Sequence, residues 1–253
     1  MFKKRIWFWI PMICLFSLLI PRHGGATGLE AAVGISYQDF QGGLGYKGDS
    51  LDVNNVFKYH RAAQFFGRVK IDMPLIIPNI YLQATPLRFD GSATNNVSFK
   101  FGDQTVSAGV PFSSALKLDH YDLALYYGLP FVKQATLGLI NIEAGLNIRV
   151  FDVKTEITQR AISESKSFNL LVPMVYLGFQ VKPVSFLSLE GEFRGIAYND
   201  NHYYDLIGRV KYYFLKVVFV SAGYRHESIS MDQSDIKLDV GFSGPVLEVG
   251  LQF

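Results

Sequence analysis

The sequence predicts an all-β fold: an antiparallel up-and-down transmembrane β-barrel of about ten strands, with eight or twelve as the neighbouring counts. Three observations predict it. Apolar and polar residues alternate with a period of two along most of the chain. No apolar run after residue 26 is long enough for a spanning helix, the longest being about ten residues at 170–179. Only 18% of the 253 residues are charged while 49% are hydrophobic, against about 25% charged in ordinary soluble domains. With a mean hydropathy of +0.17, that balance excludes a disordered chain or a coiled coil.

The N-terminus reads as a cleaved signal peptide over 1–26. Lys3, Lys4 and Arg5 form a basic n-region, Ile6 to Ile20 an apolar h-region broken by Pro11, and Pro21 to Ala26 a small, polar c-region. Cys14 lies inside the h-region and follows Ile13, which does not suit lipidation. The remainder, 27–253, reads as a single barrel domain. Cleavage removes Lys3, Lys4, Arg5 and Arg22, so the 24 basic residues fall to 20 against 22 acidic ones. The mature chain is slightly acidic and keeps no basic patch to argue for a nucleic-acid partner, so none is expected, and its lack of thiols excludes disulfides, zinc-thiolate sites and cysteine nucleophiles.

The strands follow in order, centred near 30–40, 62–73, 79–90, 116–128, 135–152, 168–181, 184–198, 203–214, 216–229 and 236–253. No amphipathic helix is read after residue 28. From Ile140 to Val150 the apolar residues Ile140, Ile142, Ala144, Leu146, Ile148 and Val150 share one parity, and Glu143, Asn147 and Arg149 the other. A helix would mix these two sets. Short connectors at Pro74–Asn79, Gly128–Lys133, Lys182-Pro183 and Leu215-Lys216 place one end of the barrel. Longer polar loops near 41–61, 91–115 and 153–167 place the other, with Tyr198–Asn201 as a tight exception. Within 91–115, Gly102-Asp103 sits between Val97–Phe101 and Thr105–Ser107 as a hairpin signal, for a unit that stands above the membrane or folds inward as a plug.

In a barrel of this class the apolar parity meets lipid and the polar parity faces inward. The inward charges are then Arg68, Lys70, Arg149, Arg194, Arg209, Lys211, Arg225 and Lys237 against Asp72, Asp122, Glu143, Glu190, Glu192, Asp205, Asp239 and Glu248. A selective pore would carry an excess of one sign. Balance predicts cross-lumen ion pairs in a narrow, largely blocked interior. Tyr126, Tyr127, Phe131, Tyr212, Tyr213, Phe214 and Phe253 read as one interfacial belt, and Tyr37, Phe89, Phe151, Tyr198 and Tyr224 as the other.

Leu247, Val249, Leu251 and Phe253 alternate to the last residue. With the leader and the alternating strands, this end resembles small outer-membrane barrel proteins of Gram-negative bacteria. Ile80–Pro86, His120–Tyr127 and Asn201–Arg209 are similar to segments of a poorly characterised OmpW-related family. The resemblance implies that the terminal motif is read by the barrel-assembly machinery, with periplasmic chaperones, lipopolysaccharide and outer-membrane lipid as the other partners. It brings no catalytic residues and no cofactor. His120-Tyr-Asp122-Leu and His202-Tyr-Tyr-Asp205-Leu form a faint internal echo.

Three functions fit this reading: an envelope structural or surface protein with an ion-paired lumen, a narrow channel for small solutes, and a lipid-modifying hydrolase. The last would use His226 and Ser228, oriented by Asp232 or Asp235, at the loop rim. The pair resembles the His-x-Ser of outer-membrane lipid A deacylases, although Ile229 stands where that pattern has Asn. Asp119 with His120 is too thin a pair for a rim protease. His60, His120, His202 and His226 have no metal-ligand spacing, and Gly42, Gly43 and Gly45 no helix after them to cradle phosphate.

Overall fold

The computed structural model describes residues 28–47, 50–59, 61–74, 76–160, 162–233 and 236–253. The leader, His60 and Asp235 lie outside the described residues.

Ten long wall strands run up and down in chain order and close on themselves. They are β1 (Leu29–Tyr46), β3 (Ala62–Ile71), the broken pair β4 (Asn79–Thr85) and β5 (Arg88–Ala93), β8 (Phe112–Gly128), β9 (Ile140–Gln159), β10 (Ile162–Val184), β11 (Leu187–Tyr198), β12 (Asn201–Tyr213), β13 (Val218–Gln233) and β14 (Ile236–Gln252). A two-residue strand β2 (Leu51–Asp52) adds to β1, and β6 (Phe99–Phe101) with β7 (Gln104–Val106) forms a separate hairpin. Closure is by β1 against β14, from Glu30 opposite Gln252 to Tyr46 opposite Ile236. The first and last strands are thereby joined and the ring is closed, as a bilayer demands.

The outside of the wall decides between a membrane barrel and a water-soluble one. On β9, Leu146, Ile148 and Val150 point outward and are exposed. Above them the same parity turns to Asp152, Lys154, Glu156 and Thr158. On β10 the outward parity is Ser163, Ser165, Ser167 and Asn169, then Leu171, Val175, Leu177 and Phe179, all four exposed. The apolar run matches the ~9–11 residues of one tilted crossing. Tyr37, Tyr121 and Tyr224 at its upper limit, and Tyr127, Tyr212, Phe214 and Phe253 at its lower one, stand outside in two girdles.

Several features differ from the sequence reading. The polar segment 153–167 is a hairpin rather than a loop: β9 and β10 stay paired up to Gln159 opposite Ile162. β1 likewise runs on through Gly42, Gly43 and Gly45, and β8 begins at Phe112. Polar strand tips leave the lipid but keep their ladder partners, so alternation between apolar and polar residues ceases to mark them. One helical turn, α1 (Pro130–Ala135), fills a short connector, with Pro130 at its start where a missing N–H costs nothing. Lys182-Pro183 lies inside β10.

The closing seam is tight at one point. Pairing of β1 with β14 lapses between Ser36–Val246 and Asp39–Ser243, beside Pro245. A Cβ on Gly244 would lie 2.0 Å from the Tyr37 carbonyl oxygen, a backbone atom that cannot swing away. Gly244→Ala is therefore expected to cost about 1–3 kcal/mol, read as a lower denaturant midpoint of the folded, heat-modifiable form. Gly208→Ala, whose Cβ would meet nothing within 4 Å, is expected to leave that midpoint unchanged.

Candidate functional site

The lumen is filled at two levels by different chemistry. The lower level, toward the short turns, is an ion-pair network. Alternation aims Glu30 of β1, Arg68 and Lys70 of β3, Glu190, Glu192 and Arg194 of β11, Arg209 and Lys211 of β12 and Glu248 of β14 into one layer. Arg68 bonds Glu30 at 2.6 Å and Glu248 at 2.9 Å. Arg209 reaches Glu248 at 2.8 Å and also pairs with Glu192 and Glu190. Lys211 holds Glu30 at 2.9 Å and Glu190 at 2.7 Å. Lys70 spans to Glu143 of β9 at 3.2 Å and Glu192 at 3.1 Å.

Next above lies a tighter knot. Arg149 of β9 contacts Asp122 at 2.7 Å, Asp205 at 2.7 Å and Glu227 at 3.1 Å. Arg225 of β13 also binds Asp205 at 2.7 Å and Glu227 at 3.1 Å. Arg194 joins the two layers through Glu192 at 3.1 Å and Asp205 at 3.6 Å. His120 completes the knot: Nδ1–H donates to the Leu118 carbonyl, and Nε2 accepts from Arg225. Taking a charge out of water costs several kcal/mol unless its hydrogen-bonding capacity is met. Here each central guanidinium meets two or three carboxylates, which offsets that cost.

The upper level is apolar. Phe40, Phe89 and Phe242 from three wall strands stack, with centroids 4.7 Å apart for Phe40 with each of the others. Phe57 and Tyr59 from the segment after β2, Phe101 and Val106 from the β6–β7 hairpin, and Phe112, Leu116 and Ile157 complete this cap. Burial in it pushes the Tyr59 phenol up to about 12. The hairpin of 91–115 thus folds inward. Below the ion pairs, a vestibule of about 750 Å³ opens at the short-turn end beside Asp72, Lys133, Asn141, Gln180 and Lys182.

Of the inward charges expected from alternation, Arg68, Lys70, Asp122, Glu143, Arg149, Glu190, Glu192, Arg194, Asp205, Arg209, Lys211, Arg225 and Glu248 all lie in the network. Asp72 does not; it is exposed at the vestibule. Lys237 and Asp239 also differ. Both are exposed, because Val240, Phe242, Val246 and Glu248 take the inward parity of β14. Phe89, Tyr126 and Phe151, expected in the belts, are 1%, 1% and 4% exposed and point inward. Glu30 and Glu227 were missed. The parity of β13, with Tyr224 outward, already aimed Glu227 inside, but its place between His226 and Ser228 drew it into another motif.

The rim pair shows no catalytic geometry. His226 is exposed on the outer face, its ring 5.9 Å from that of Tyr204. Among the described residues no hydrogen bond joins it to Ser228. Asp232 is exposed, and its backbone N–H donates to Asn201. Asp119 and His120 are both buried: Asp119 accepts the Leu87 N–H where Pro86 interrupts the wall. In the echo segments His120 faces the lumen and His202 the outside, so the two are not equivalent. Among the described residues no three His, Cys, Asp or Glu side chains converge as a metal site.

A closed ten-strand barrel with a lipid-facing apolar band and a charged interior defines an outer-membrane-type β-barrel. The chain is similar in fold to solved barrel structures. The outer membrane protease OmpT from Escherichia coli matches with a TM-score of 0.50 at 14% identity, over 89% of this chain and 96% of that one. Ail, the attachment invasion locus protein of Yersinia pestis, matches at 0.37 and 11% identity, over 89% and 99%. Neisserial surface protein A matches at 0.32 and 11%, over 91% and 98%. At these identities the likeness is one of fold. No family model and no curated protein matches the chain.

Two outcomes follow from this geometry. Arg149→Ala leaves Asp122, Asp205 and Glu227 without their shared cation and is expected to cost about 3–5 kcal/mol, measured by urea unfolding from micelles; a loss below ~1 kcal/mol would show the knot to be dispensable. Ser228→Ala is expected to leave the acylation of outer-membrane lipids unchanged, as read by mass spectrometry of extracted lipid A.

Proposed function

We propose that this protein is a non-conducting envelope barrel that anchors and displays its long-hairpin end above the outer membrane. One observation carries the reading: cross-lumen ion pairs lie beneath an apolar cap, so two unlike barriers occupy the same channel axis. An ion crossing the cap would lose its hydration, and a solute crossing the belt would have to part charge pairs that hold opposite walls together. The tall β9–β10 and β13–β14 hairpins carry polar outward faces beyond the lipid band, which suits display to the surroundings.

Phe253 and its alternating neighbours are proposed as the signal for the assembly machinery, with chaperones guiding the processed chain and lipopolysaccharide packed against its upper girdle. Cleavage after Ala26 belongs to the same proposal. The link to the OmpW-related family rests on the three quoted segments alone. Planar-bilayer recording tests the function. The wild-type protein is expected to give no discrete openings, and Phe57→Ala with Phe101→Ala none either, because the ion-pair belt persists. Steady unitary conductance from the wild type would replace this reading with that of a narrow channel.

A further inference from the structure

The wall has a gap between β10 and β11, and a cavity lies behind it. β9 and β10 pair up to Gln159–Ile162, but β10 and β11 pair only up to Val175–Gly195. On that side, among the described residues, β10 has no ladder partner from Ile162 to Met174. Two local causes are visible. The β11–β12 hairpin turns early, at Tyr198–Asn201. In the continued register Pro173 would stand opposite Ala197, and Pro has no N–H for the ladder. The outward apolar run of β10 starts at Leu171, so the seam begins at hydrocarbon depth. An unpaired edge there is tolerated only where it is buried in protein or lines a cavity.

Inside the seam lies a chamber of about 200 Å³ whose walls are nearly all apolar, among them Leu118, Phe151, Leu170, Val172 and Ile229. A dry cavity of ~150 Å³ already holds a benzene ring. An apolar groove on the outer face shares Ile196, His202 and Tyr203 with the chamber wall, so the two lie back to back across the seam. Below, the Tyr203 hydroxyl donates to Glu227 of the ion-pair knot, which closes the floor. At the mouth stands exposed Lys166, the one Lys, Arg, Asp or Glu among the described lining residues, with its Nζ 6.0 Å from the Tyr46 ring; His202 is the other basic side chain of the lining.

We propose that this chamber binds a single alkyl chain ending in an anionic group, which enters sideways from the outer leaflet through the β10–β11 seam. The apolar walls take the methylenes, Lys166 holds the acid, and the closed floor makes the site a pocket rather than a passage. The partner chemistry is that of a long-chain carboxylate.

The test uses tryptophan reporters, since Trp7 and Trp9 are the chain's two tryptophans and both lie in the leader. Phe168→Trp places a reporter on the chamber wall; Leu171→Trp places one on the lipid face of the same strand. Each processed protein is folded into phosphatidylcholine vesicles and titrated with dibromostearic acid, which quenches on contact. The chamber reporter is expected to saturate at one acid per barrel while the lipid-face reporter is still quenched only in proportion to the acid dissolved in the bilayer. Lys166→Glu is expected to weaken the acid by about fivefold and to leave its methyl ester unaffected. Met174→Cys with Ile196→Cys, across the seam in a mature chain without thiols, is expected to abolish saturation when oxidised and restore it on reduction. Parallel quenching of both reporters at every acid concentration would overturn the proposal. Saturation unaffected by an oxidised seam would overturn the lateral route.

Discussion

The structure depends on how charge is kept inside a cylinder with little room for water. The lumen places arginines, lysines and carboxylates from most wall strands within reach of one another. No one of them could stay ionised there alone at acceptable cost. Arg149 meets acids from β8, β12 and β13, and Arg68 and Arg209 share Glu248 across the interior. The network therefore holds opposite walls at set distances, a role that an apolar core plays in a soluble domain. It also makes the barrel intolerant of single losses, because removing one ion leaves several counter-ions buried and unmatched.

Above the membrane the problem is reversed. The outer faces of β9, β10 and β14 carry Asp152, Lys154, Ser165, Lys237 and Asp239 into water, and the inner faces can then be packed as an ordinary hydrophobic core. The cap of Phe40, Phe57, Phe89, Phe101 and Phe242 is such a core, enclosed by strand tips. One chain thus has a polar interior within the bilayer and an apolar interior above it. The change of solvent outside the wall sets both. Unequal hairpin heights follow from the same extension: tall strands are stabilised by the cap, while the β11–β12 hairpin, which contributes little to it, stops early.

Much of this was legible in the chain. A period of two, a run of outward Leu, Ile and Val, and short connectors alternating with longer loops pointed to a barrel of about ten strands and to its orientation toward lipid, because each strand's pattern is local. The same alternation pointed inward most of the residues that form the ion pairs. It could not say which acid meets which base, since partners such as Lys70 and Glu143 are set by closure and register. Nor could it place Phe89, Tyr126 and Phe151, because an aromatic side chain suits both an interfacial girdle and a packed lumen.

Only the tertiary structure decided three things. It turned polar segments such as 153–167 into strand tips, where ladder pairing outlasts the lipid. It folded the β6–β7 hairpin inward, where aromatic burial outweighs exposure. It left β10 without its β11 neighbour above Val175, where Pro173 and a short hairpin coincide. The sequence by itself determined the faces of each strand, because side-chain direction alternates within the strand. What lies opposite a given face was settled by closure of the ring, which brings together residues far apart in the chain.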